Sequence, residues 1–173
     1  MGQGVCAALP ALHALTGCDS TSSLSGIGKK KAMKALLGNQ SQQERLAEVG
    51  MELPMSDAAV RNCESFICQL YTTAQRAGTR ADDVRYWLFC QKQKQNEGLP
   101  PTSDSLLQHI KRANYQAYIW RKALEQQQDL PSPNDHGWKT EDGVLQPVLM
   151  TKDPAPRALL ELSFCHCKKS ACR

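Results

Sequence analysis

Apolar positions along this chain recur at three- and four-residue spacing and seldom alternate with polar ones, so the pattern predicts helices and no large sheet. Residues 2–15 read as a short apolar helix, with Leu9, Leu12, Ala14 and Leu15 as packing positions and Pro10 in a first turn that tolerates it. A second helix begins at Lys29. Ile27, Ala32 and Leu36 share one face of it, Lys30, Lys31 and Lys34 another, and Gly38 marks its stop. Ser41-Gln42-Gln43-Glu44 is a capping box that opens a short helix ending near Gly50, with Leu46 and Val49 inward.

Further on, Pro54 and the cap Ser56 introduce a helix over 57–72, whose stripe is Val60, Cys63, Ile67, Leu70 and Tyr71. A helix over 81–94 follows, capped by Thr79. Its Asp82 and Asp83 complement the helix dipole rather than form a catalytic acid pair, and Val84, Trp87, Leu88 and Phe89 supply core. The polar run 91–101 ends at Pro100-Pro101 and reads as a connection. The longest helix spans 104–127, with Leu106, Leu107, Ile110, Ala113, Ala117, Trp120 and Leu124 inward. His109, Lys111, Arg112, Arg121 and Lys122 form a second face, read as solvated. With Tyr115, Tyr118 and Trp120 interleaved, the alternative for that helix is stacking on nucleic acid.

From Leu130 to Arg157 proline, aspartate and glycine replace helical periodicity. His136-Gly137-Trp138 and 145–150 are the apolar points of this irregular stretch, and the second is a candidate extended segment. His13 and His136 both read as structural, since no nucleophile or ligand set surrounds either.

Composition narrows the function classes only moderately. The 173 residues carry a net charge of +4, which permits nucleic acid as a partner without demanding it. No apolar run approaches the roughly 20 residues that span a bilayer, and Met1 opens no secretory signal, so the expectation is a soluble intracellular protein without a membrane partner. Of eight cysteines, Cys6, Cys18, Cys63, Cys68 and Cys90 stand in apolar or helical contexts and read as small buried hydrophobes.

Candidate chemistry concentrates in 13–37. Gly26-Ile27-Gly28 leads directly into a helix whose first residues are Lys29, Lys30 and Lys31. The first N–H groups of a helix lack intrahelical partners and its dipole is positive there, so an anion is favoured. Three lysines at that end repel the dipole, by up to about 1 kcal/mol each, unless a negative group offsets them. Asp19, in Asp-Ser-Thr-Ser, reads as a turn or cap residue on sequence grounds.

Leu24-x-Gly26-Ile27-Gly28-x-x-x-Ala32-x-x-x-Leu36 resembles the helix-hairpin-helix of DNA-binding proteins. With Gly17-Cys18-Asp19 ahead of it, the segment is similar to the flap-endonuclease type of PIN-like nuclease. That resemblance implies that Gly26, Ile27 and Gly28 meet the DNA backbone and that Asp19 is a ligand for Mg2+ or Mn2+; Lys29, Lys30, Lys31 and Lys34 join the site by their charge at the helix start. Ser20 and Ser25 depart from the aromatic residue and proline common in that family. No Asp or Glu precedes Asp19, whereas two-metal cleavage needs several carboxylates. The expectation is therefore the back end of a nuclease domain, inactive alone, or a metal-dependent nuclease completed by upstream carboxylates.

At the other end, Cys165-His166-Cys167 and Cys172 resemble the opening of the CXC repeat of tesmin-type DNA-binding proteins, which implies Zn2+ at Cys165, Cys167 and Cys172. The combination is similar to multicopy animal proteins associated with mobile elements. The fold expected is mainly α: a PIN-like remnant with helix-hairpin-helix over 1–38, a helical domain over 39–129, an irregular extension over 130–164 and a CXC-like start over 165–173. The function expected is binding of nucleic-acid backbone, DNA by the resemblance, in the nucleus; the alternative is a protein-interaction module centred on Trp120.

Overall fold

The computed structural model describes residues 2–91 and 98–153, and the CXC-like cysteines lie outside them. Mainly helical as expected, the chain forms α1 (Gln3–Leu15), α2 (Lys29–Leu37), α3 (Gln40–Ala47), α4 (Asp57–Tyr71), α5 (Ala81–Cys90) and α6 (Ser103–Arg121). A single 3₁₀ turn, Gln75–Ala77, precedes α5, and a two-stranded antiparallel sheet, β1 (Trp138–Glu141) with β2 (Val144–Pro147), follows α6. Among the described residues no helix is long and apolar enough to cross a membrane.

Local capping chemistry accounts for several boundaries. Ser56 Oγ accepts from the Ala59 amide at 3.2 Å, and Thr102 Oγ1 accepts from that of Ser105 at 3.2 Å, each satisfying a donor the helix itself cannot. Asn39, not the Ser41 box, caps α3: its Oδ1 accepts from the Gln42 amide at 3.1 Å, so the helix starts before the expected cap. Thr79 likewise yields to tertiary partners at α5. There Glu64 Oε1 accepts from the Ala81 amide at 2.9 Å, and the Asp82 and Ser103 side chains each bond the other residue's backbone N–H.

Packing centres on α1 and α6. Helix α1 lies against α3 and α6 and also touches α2; α4 packs on α3 and α6, and α5 on α4. Alanines at 8, 11 and 14 are fully buried and let α1 approach its neighbours closely. Pro10 sits in the helix interior, not the first turn, because the helix already begins at Gln3. One buried cluster runs from Val5 through Leu36, Leu46, Phe66, Leu88 and Ile110 to Ala117, so the same core crosses the boundary expected at 38.

Several outward and inward assignments change in three dimensions. Phe89 is 59% exposed because it falls opposite the buried Val84–Leu88 face, and Leu124 is fully exposed because α6 ends at Arg121. Cys63 and Cys68 are buried, but Cys6 and Cys90 are exposed and Cys18 is half-buried. Burial pushes the Cys63 and Cys68 thiols up to about 12, with nearby carboxylates adding to the effect.

The largest correction concerns the face of α6 expected to be solvated. His109 and Arg112 are buried, and Arg121 donates to the carbonyls of Ala7, Ala47 and Val49 at 2.9, 2.8 and 2.9 Å. Asn114 holds the Gly50 amide at 2.7 Å and the Glu52 carbonyl at 3.0 Å. Arg112 Nη1 donates to the Gly137 and Val148 carbonyls, and Asp104 accepts from the Thr151 hydroxyl at 2.7 Å, so the irregular segment drapes back on α6. The β1–β2 turn itself is local. Asp142 and Gly143 take φ of 50° and 76°, the left-handed pair that a two-residue hairpin turn requires.

Candidate nucleic-acid interface

Between α1 and α2 the backbone makes two tight turns rather than one hairpin. In the first, the Cys18 amide donates to the Thr21 carbonyl at 3.1 Å and the Thr21 amide returns to the Cys18 carbonyl at 3.3 Å. Thr21, itself buried, ties this turn to α1 through a 2.7 Å bond from Oγ1 to the Ala14 carbonyl, and Ser20 Oγ bonds Gln116 Oε1 on α6. Gly17 lets the chain fold back: its φ is +101°, and a Cβ there would lie 2.7 Å from Ser23 Cα.

Asp19 occupies the exposed corner of that turn, the place its turn-forming sequence predicts. Among the described residues no three His, Cys, Asp or Glu side chains come together around it or elsewhere. Burial raises the neighbouring Cys18 thiol. Hydrogen bonds with the Ser20 and Thr21 hydroxyls and backbone outweigh that, and the thiol falls below its ordinary value.

The second turn carries the Gly-Ile-Gly sequence. Ile27 donates its amide to the Leu24 carbonyl at 3.1 Å, and Leu24 and Ile27 are buried, which pins the turn to the core by its apolar side chains. Its amide is thus taken, contrary to the phosphate contact implied for it. Gly26 has φ +69°, a conformation that residues with a Cβ rarely adopt, and open space surrounds the Cβ position of both Gly26 and Gly28. Gly28 then caps α2 with extended backbone and no side-chain cap, and the first turn of α2 carries no acid. The N–H groups of Gly28, Lys29 and Lys30 bond no acceptor among the described residues.

The four lysines divide into two roles. Lys29 Nζ turns back to α1, donating to the carbonyls of His13 and Gly17 and to Thr16 Oγ1 at 3.2, 2.5 and 3.2 Å. That ammonium, though exposed, is directed at the negative end of α1. Lys30, Lys31 and Lys34 are exposed, and neither ion pair among the described residues involves them. Over the first 43 residues four lysines face one acid, Asp19, so this end of the molecule is basic.

Of the aromatics offered for stacking, Tyr115 is buried with its hydroxyl donating to the Pro131 carbonyl at 2.8 Å. Tyr118 lies under Lys122, and Trp120 is half-buried with its ring stacked on His13 at 5.2 Å. These rings therefore already have partners within the fold. Thr16, Thr21 and Gln116, which hold the two turns in place, carry no motif, and nothing local in the sequence singles them out. No family model matches the chain, and no curated protein or solved structure matches it either.

Proposed function

We propose that the chain binds nucleic-acid backbone non-specifically, with a phosphate seated at the start of α2 against the amides of Gly28 to Lys30 and flanked by Lys30, Lys31 and Lys34. The observation that supports this reading most is an uncapped helix N-terminus without acids, bared by Gly26 and Gly28, beside three exposed lysines that form no ion pair among the described residues. Such a site welcomes an anion, and a polyanion supplies several at the spacing of successive lysines. Lys29 acts beside the site, tying α2 to α1.

Fluorescence-anisotropy titration against single-stranded and branched DNA tests the proposal. If the three lysines each meet a phosphate, duplex affinity falls on the order of 40-fold between 50 and 200 mM salt. A Lys30→Gln/Lys31→Gln/Lys34→Gln variant loses most of that dependence. Salt-insensitive binding, or equal binding by that variant, overturns the proposal; a partner protein whose binding survives it but fails on Trp120→Ala favours an interaction module instead.

A further inference from the structure

Arg112 is only 3% exposed, yet among the described residues it faces no carboxylate. Its Nη1 donates to two carbonyls, and burial alone lowers its pKa, with no acidic group opposing. Its Nε and Nη2 bond no protein acceptor among the described residues and are not fully enclosed. A buried charge is normally paired, since its desolvation is offset only by a counter-ion or strong hydrogen bonds. Two backbone carbonyls and the face of the Trp138 ring, 6.0 Å from its guanidinium carbon, are its partners, and among the described residues it has no counter-ion.

Arg112 lines a cavity of about 250 Å³ between the second turn, α4 and α6. Its other polar wall residues are His109, Tyr71, Ser22, Ser23, Ser25 and Ser105, and no Asp or Glu is among them. His109 Nε2 lies 2.9 Å from the Leu15 carbonyl, so that nitrogen carries the proton; Nδ1 is buried without a partner among the described residues. Burial keeps this imidazole below its ordinary value, Arg112 reinforces that, and the Leu15 contact only partly opposes it, so the ring is neutral. The cavity wall therefore offers one positive charge, hydroxyls and a neutral ring.

The rest of the wall is apolar. Leu24, Leu99 and Pro101 are largely shielded from solvent, while Leu149, 63% exposed, forms the lip. The space falls short of the roughly 300–1,000 Å³ that houses a drug-sized ligand. A whole nucleotide is too large for it. One cation matched by one anion leaves the filled cavity neutral, whereas a phosphate dianion leaves a buried negative charge. A planar carboxylate also fits the guanidinium fork in bidentate fashion.

We propose that this cavity is a binding site for a small monocarboxylic acid with a short apolar body, its carboxylate on Arg112 and its hydrocarbon against Leu24 and Leu99. The site is separate from the α2 lysines and requires nothing of nucleic-acid binding.

Amide-resolved NMR titration of the whole chain with butyrate, butyramide and inorganic phosphate tests this. Saturable shifts at Ser22 to Ser25 and Ser105 with butyrate, at least tenfold weaker with either other probe, are expected. Ser105→Leu fills the cavity without touching the Arg112 carbonyl bonds and should weaken butyrate at least tenfold, as should Arg112→Gln. Because Arg112→Gln also loosens the hairpin, Ser105→Leu decides if that variant misfolds. Absence of saturable shifts with butyrate, equal response to butyramide or phosphate, or undiminished binding by Ser105→Leu overturns the proposal.

Discussion

Lys29 Nζ donates to the Gly17 carbonyl oxygen at 2.5 Å, so the first residue of α2 caps the last turn of α1. Two further contacts, to the His13 carbonyl and Thr16 Oγ1 at 3.2 Å each, make that ammonium the bracket between the helices flanking the candidate interface. Position along the helix, not chemistry, separates it from Lys30 and Lys31.

Replacing Lys29 by Gln should therefore cost stability, by about 1 kcal/mol, since it removes charge-assisted bonds to helix-terminal carbonyls. In a chain of this size that corresponds to a fall of roughly 2–4 °C in melting temperature. Lys30→Gln and Lys34→Gln should stay within about 0.5 kcal/mol of wild type. Thermal denaturation followed by circular dichroism separates the two classes, and equal melting temperatures would deny Lys29 its bracing role.

The glycines should divide in the same way. Gly17→Ala meets both a left-handed φ and a backbone clash with Ser23, and should destabilise by at least about 2 kcal/mol. Gly28→Ala meets open space at φ −89° and should cost no more than about 1 kcal/mol, the ordinary difference between these residues at a helix cap. Urea unfolding midpoints measure the contrast directly, and a tolerant Gly17 would contradict the folded-back first turn.

Arg121 ties α6 to carbonyls of α1, α3 and the turn that follows α3, residues 72 to 114 positions away in sequence. Removing the guanidinium as Arg121→Met leaves the Ala47 and Val49 carbonyls without donors and that of Ala7 with its helix bond alone, and a loss of about 2–3 kcal/mol is expected. Arg121→Lys should recover less than half of it, because one ammonium cannot reproduce the planar fork. Full recovery by Lys in chemical denaturation would show that charge alone suffices.

His109 should make stability depend on pH. The unfolded chain protonates it at its ordinary value of 6.5, and the folded chain only at a lower pH because the ring is buried. Between those values the unfolded state binds more protons, so stability is complete above 6.5 and falls as pH falls toward the folded value. His136, held low by partial burial, contributes with the same sign. His109→Gln keeps an N–H donor for the Leu15 carbonyl and should show a shallower loss between about pH 7 and pH 5 in urea unfolding. An unchanged slope would mean that His109 is not the group responsible.

The sequence by itself determined those features whose causes lie within a turn or two of chain. Helix α4 begins after Ser56 because the capping hydroxyl and the amide it satisfies are three residues apart, and α2 runs from the glycines to Gly38 because its apolar spacing and its breakers are contiguous. The inward faces built on Leu36, Leu46, Val49, Ile67 and Ile110 follow from the same periodicity, and they fix a mainly α fold. Asn39 rather than Ser41 capping α3 shows the limit of that local view, since both are good caps and the choice between neighbours is settled by how α2 and α3 meet. Only the tertiary structure decided the fate of Lys29, His109, Arg112 and Arg121. A cationic or imidazole side chain can satisfy its hydrogen bonds with water or with a carbonyl brought near from a distant segment, and its place in a helical pattern is the same in either case. The bracket beside the candidate interface comes from docking α2 on α1, and the arginine in the cavity wall from packing α6 against α1 and α4, which buries groups expected to be solvated.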